Sequence, residues 1–120
     1  MVVFTVEKPN SSDYYINGTP DPTLILLRGQ TYTFDFTDDG HPFYIKTMLG
    51  QGTTGRYDLG VVNQGSTSAE LDLVFTVPEN APDILYYQCS AHPRMNGVLQ
   101  VTSEENRAGH GGVVSTVNII

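Results

Sequence analysis

Cys89, His92 and Met95 stand three residues apart within Tyr86-Tyr87-Gln88-Cys89-Ser90-Ala91-His92-Pro93-Arg94-Met95-Asn96-Gly97. A thiolate, an imidazole and a thioether in one short turn can wrap one side of a metal ion. Zinc does not normally recruit a thioether. An ion cycling between Cu(I) and Cu(II) can, because sulfur ligands suit Cu(I) while imidazole tolerates both states. Pro93 stiffens the turn, and Gly97 lets the chain re-enter a strand. A trigonal two-His, one-Cys set with a weak axial sulfur needs one more imidazole. His41, after the Asp38-Asp39-Gly40 turn, is the best candidate. His110 is the remaining histidine; it sits in a glycine-bearing tail with no strand immediately before it and ranks below. Taken singly, each residue has a plainer reading: a buried structural thiol, a turn-capping histidine, a methionine filling the core. In combination they favour copper over zinc or no metal.

The elements around these residues read as strands. Val2 to Glu7 is apolar and short. Asn17-Gly18 marks a turn after Tyr14-Tyr15-Ile16, and Thr23 to Leu27 reads as a buried strand. Thr31 to Thr37 alternates, with Tyr32, Phe34 and Phe36 on one face. Phe43-Tyr44-Ile45 follows His41-Pro42. From Lys46 to Ser68 the pattern gives way to glycine-rich loops, with a short strand around Leu59 to Val62. Leu71, Leu73, Phe75 and Val77 share a face in Ala69 to Val77, and Pro78 ends that strand. Ile84 to Gln88 runs directly into Cys89, Val98 to Thr102 resumes alternation, and Val113 to Ile120 reads as a final strand. Seven or eight strands with no convincing helix predict an all-β, two-sheet antiparallel Greek-key sandwich, plus an extra terminal strand. The strand-like ends either pack on the sandwich or pair with another chain, giving self-association through terminal strands.

Composition narrows the function classes. The 120 residues carry 12 Gly and 7 Pro, which suits strands joined by turns. The formal charge of −7 leaves no basic patch for phosphates, so no nucleic acid is expected as a partner. No apolar run is long enough for a membrane span. Cys89 is the only cysteine, so an internal disulfide is excluded. Met1-Val2-Val3-Phe4 shows no signal-peptide features. Cys89 and His92 lack a third orienting group and a glycine-rich oxyanion turn, which argues against a nucleophilic enzyme. Three histidines are too few for a catalytic copper cluster beside this site, so we expect no enzyme.

The loop Cys89 to Gly97 resembles the ligand loop of the type 1 (blue) copper proteins, the cupredoxins. Its Cys-x-x-His-x-x-Met spacing is the short, amicyanin-like version rather than the plastocyanin one. Leu26-Leu27-Arg28-Gly29-Gln30-Thr31-Tyr32-Thr33-Phe34, the Gly40-His41 pair and Phe75-Thr76-Val77-Pro78 are similar to cupredoxins as well. The resemblance covers residues 14–103 of an expected single domain 1–120, leaving terminal extensions 1–13 and 104–120. It implies one copper ion held by His41 Nδ1, Cys89 Sγ and His92 Nδ1, with Met95 Sδ as a long axial ligand and the Gly40 carbonyl as a distant fifth contact.

The activity implied is one-electron Cu(I)/Cu(II) transfer, in the periplasm or outside the cell. A redox partner protein would dock at the His92 end, where Phe43 and Pro93 are candidates for an apolar rim and Arg94 for selecting an acidic partner. Asp35, Asp38, Asp39, Asp58, Glu70 and Asp72 read as solvated charges. Pro42 departs from the family pattern: asparagine commonly follows the first histidine and offers an N–H to the cysteine sulfur, and proline has none. Ala91 stands where many relatives carry proline. The alternative reading is a structural or interaction module on the same fold, embedded in a larger extracellular or virion protein.

Overall fold

The computed structural model describes residues 2–103. The expected final strand, Val113 to Ile120, and His110 lie outside them.

Ten strands are present among the described residues: β1 (Val2–Glu7), β2 (Tyr15–Ile16), β3 (Thr19–Pro20), β4 (Leu24–Leu27), β5 (Thr31–Phe36), β6 (Phe43–Lys46), β7 (Val61–Val62), β8 (Leu73–Thr76), β9 (Ile84–Cys89) and β10 (Asn96–Thr102). They form a six-stranded sheet, ordered β3-β2-β1-β5-β8-β7, and a four-stranded sheet, ordered β4-β10-β9-β6. Alternation explains which faces meet. Tyr32, Phe34 and Phe36 of β5 and Leu73 and Phe75 of β8 are buried with Phe4 and Val6 of β1. The other sheet contributes Leu24, Leu26, Ile45, Leu85, Tyr87 and Leu99 to the same core.

Two points differ from the sequence expectation, and for the N-terminal segment one of its two alternatives is realised. The sandwich is mixed rather than antiparallel: β1 runs parallel to β5, and β10 parallel to β4. The first of these pairings makes the N-terminal segment part of the fold. β2 flanks its other side at Val6 and Glu7. Leu71 is 46% exposed, because its N–H closes a turn on the Ser68 carbonyl (3.1 Å) before β8 begins.

The ladder between β6 and β9 sets the site. Phe43 pairs with Cys89 and Tyr44 with Gln88, so the chain entering β6 and the chain leaving β9 emerge at the same end of the sheet. β10 then returns beside β9 with Asn96 opposite Gln88. The segments carrying His41 and His92 are thus neighbours, although 51 residues separate them in sequence.

Candidate metal centre

Cys89 is the last residue of β9 and is fully buried. Its N–H donates to the Met95 carbonyl (2.9 Å), and the Met95 N–H reaches the His92 carbonyl (3.4 Å). These two bonds fold Cys89 to Met95 into a closed turn, with Met95 itself fully buried. On the facing segment, Gly40 and His41 both have positive φ, 91° and 47°. A left-handed backbone is readily adopted by glycine but costs a histidine of order 1–3 kcal/mol, a strain that accumulates at functional sites. The fully buried Tyr14 hydroxyl opposes it by donating between the His41 and Pro42 carbonyls (2.9 and 3.0 Å). The Ser90 N–H also donates to the Pro42 carbonyl (3.3 Å), joining the two loops.

The resulting geometry brings three of the sequence candidates together. His41 Nδ1 lies 3.2 Å from His92 Nδ1 and 4.0 Å from Cys89 Sγ, and His92 Nδ1 lies 3.5 Å from the same sulfur. A triangle with those sides encloses a point about 2.1 Å from each corner, inside the ~2.0–2.3 Å range of metal–imidazole and metal–thiolate bonds. His41, Cys89 and His92 are therefore positioned to bind one metal ion. Burial first, then the facing His92 and then Lys8, hold His41 below the ordinary imidazole range, which keeps a nitrogen lone pair available at neutral pH.

Several groups that sequence reasoning overlooked hold this arrangement. Gln88, fully buried, donates from Nε2 to the carbonyls of Cys89 and His92 (both 2.9 Å) and accepts the Gly50 N–H on Oε1 (3.0 Å). Lys46, also buried, donates to the Gly50 and Gly52 carbonyls (2.7 and 3.1 Å). The loop after β6 is thereby folded across the ligand turn, where the Gly52 N–H meets the Ser90 carbonyl (2.8 Å) and Gln51 Nε2 the Ala91 carbonyl (2.8 Å).

Lys8 continues the inward series Phe4, Val6. That period-two signal was available in the sequence, since β1 buries alternate residues. Its Nζ donates to the Gly40 carbonyl, the oxygen expected as a distant contact. Burial lowers the Lys8 ammonium to about 8, with Cys89, Asp38 and Asp39 acting in the opposite direction. Tyr14 is pushed far above the ordinary phenol range, by burial first and then by Cys89, so its hydroxyl stays a donor.

Two expectations about the rim change. Phe43 is fully buried and belongs to the core, stacked against Tyr87 with ring centroids 5.5 Å apart. Pro93 and Arg94 are exposed as expected, and His92 is partly exposed between them and the buried Cys89. Met48 and Leu49, on the loop after β6, are also exposed. Asp38 and Asp39 do more than face solvent: Asp38 Oδ2 accepts the Lys8 N–H (3.0 Å) and Asp39 Oδ1 the Ala69 N–H (2.7 Å).

The fold is cupredoxin-like, with rusticyanin among its structural neighbours. Rusticyanin from Thiobacillus ferrooxidans matches 83% of this chain and 76% of its own, at 19% identity and a TM-score of 0.57. Reduced rusticyanin matches the same 83% and 78% of its own chain, at 20% identity and a TM-score of 0.56. A variant of the multicopper oxidase McoA from Aquifex aeolicus matches 88% of this chain but 28% of its own, at 17% identity and a TM-score of 0.50. No protein-family model and no curated protein matches the sequence.

Proposed function

We propose that this chain is a type 1 copper electron carrier. The observation that carries the reading is the triangle of His41 Nδ1, Cys89 Sγ and His92 Nδ1, drawn from two separate loops around a single bonding point. One thiolate with two imidazoles is the equatorial set of blue-copper centres, and Met95, buried at the end of the same turn, would offer a soft fourth ligand. Rusticyanin is described as a copper protein and McoA as a multicopper oxidase, which supports copper as the ion.

Copper bound there would exchange one electron between its two oxidation states. The chain's task is to keep the ligands still while that happens. The β6–β9 ladder, Gln88 and the Tyr14 hydroxyl fix both histidine-bearing segments before any ion arrives, so little rearrangement accompanies the change of charge. His92, partly exposed, is the route to a partner protein, and the exposed Ala91 and Pro93 on either side give it an apolar border. A carrier is favoured over an oxidase because the sequence has only three histidines, two of them used here. We place its work in the periplasm or outside the cell, on the strength of the family resemblance.

Protein-film voltammetry of the copper-loaded chain tests this reading. A reversible one-electron couple, lost in both Cys89→Ser and His41→Ala, is the expected result. No couple in the unaltered chain, or a couple that survives either substitution, contradicts it.

A further inference from the structure

Lys8 places a cation beside the metal-binding triangle. The residue is 5% exposed, and its Nζ stands 4.3 Å from the centroid of the Phe36 ring and donates to the Gly40 carbonyl, one peptide before His41. It makes no ion pair among the described residues. Two physical effects follow. A fixed positive charge opposes a bound ion, and opposes a divalent one twice as strongly as a monovalent one. The Gly40 oxygen is also turned toward an ammonium, so Zn(II), which accepts oxygen ligands more readily than Cu(I) does, must compete with Nζ for it.

We propose that Lys8 is a specificity-determining residue of this centre, biasing it toward monovalent copper and against divalent zinc. The proposal rests on the copper reading above and adds to it a selectivity held by a residue that touches no metal.

The test is a pair of anaerobic competition titrations of the reduced metal-free protein at pH 7, with Zn(II) in one and Cu(I) in the other, each against a chelator of known affinity. The unaltered chain, Lys8→Met and Lys8→Arg are compared. Lys8→Met is expected to bind Zn(II) about 10-fold more tightly while its Cu(I) affinity moves by less than about 3-fold, and Lys8→Arg to keep the unaltered ratio. A Zn(II)-to-Cu(I) ratio unchanged in Lys8→Met, or equally shifted in Lys8→Arg, overturns the proposal. Circular dichroism of each metal-free protein checks folding. Where Lys8→Met does not fold, Lys8→Gln, which keeps an N–H donor and loses the charge, is judged by the same criteria. Absence of copper binding in the unaltered chain overturns both readings, whereas normal copper binding with an unchanged ratio overturns this one alone.

Discussion

Phe43 and Cys89 are direct partners in the β6–β9 ladder, and that pairing is what closes the metal site. His41 lies two residues before Phe43, so it must emerge beyond the strand end from which the Cys89 turn departs. The register of one hairpin-like pair thus converts a wide separation in sequence into a 3.2 Å gap between two imidazoles. Slipping the ladder by one residue would turn Cys89 away from the core face and separate the ligands.

The missing N–H at Pro42 leads to the first prediction. Among the described residues Cys89 Sγ contacts the two ligand imidazoles and no main-chain N–H. A sulfur without that donor keeps more negative charge and favours Cu(II). Pro42→Asn should raise the reduction potential, on the scale of a tenfold gain for Cu(I), about 59 mV for one electron. Spectroelectrochemistry reads it directly; an unchanged or lower potential contradicts the account.

Gln88 should matter more than its position in the sequence suggests. Gln88→Leu keeps the volume but leaves the Gly50 N–H and the Cys89 and His92 carbonyls without their side-chain partner. A loss of about 1–3 kcal/mol in chemical unfolding of the metal-free protein is expected. Because the turn is also loosened, the copper form should show a broadened and weakened thiolate band. A variant with unaltered stability and spectrum would show that the amide is dispensable.

Gly97 is required for space, not for re-entry into the strand. It faces Tyr87 across the β9–β10 ladder, and a Cβ there would meet that ring at 2.2–2.7 Å. Tyr87 has no room to retreat, being fully buried with its hydroxyl on the Pro22 carbonyl (2.6 Å). Gly97→Ala should cost about 1–3 kcal/mol by overpacking. Thermal unfolding checks it, and an unshifted midpoint contradicts the steric reading.

Asp21 makes stability depend on pH. Desolvation, reinforced by a hydrogen bond and repulsion from Asp13 and opposed by the Tyr14 N–H, pushes its carboxyl up to about 7. A raised folded value means the native state holds a proton that the unfolded chain releases near 4, so stability falls as pH rises from about 4 to about 7. Asp21→Asn keeps an oxygen for the Tyr14 N–H (2.9 Å) and should flatten that slope by up to one proton. Denaturant unfolding across the range reads it; an equal slope in both proteins contradicts the assignment.

The strands and the ligand turn were legible in the sequence for a physical reason. Tyr32, Phe34 and Phe36 alternate because one face of β5 is buried, and Cys89, His92 and Met95 lie close enough in sequence for a local turn to join them. Gln88 was not legible: it occupies the outward parity of β9, where a polar residue reads as solvated, and only the loop held by Lys46 covers it. Phe43 follows the metal loop so closely that it reads as rim. The ladder turns it inward, onto Tyr14, Phe34, Phe36 and Tyr87. The parallel pairing of β1 with β5 was equally hidden, because alternation gives each strand its faces but not its neighbours.

Anaerobic addition of Cu(II) to the reduced metal-free protein, followed by visible and paramagnetic spectra, tests the central claim most directly. One equivalent should saturate an intense thiolate-to-copper band and give a paramagnetic signal with the narrow copper hyperfine splitting of a strongly covalent thiolate site. Failure to bind one equivalent, or binding without the thiolate band, would contradict a centre built from His41, Cys89 and His92.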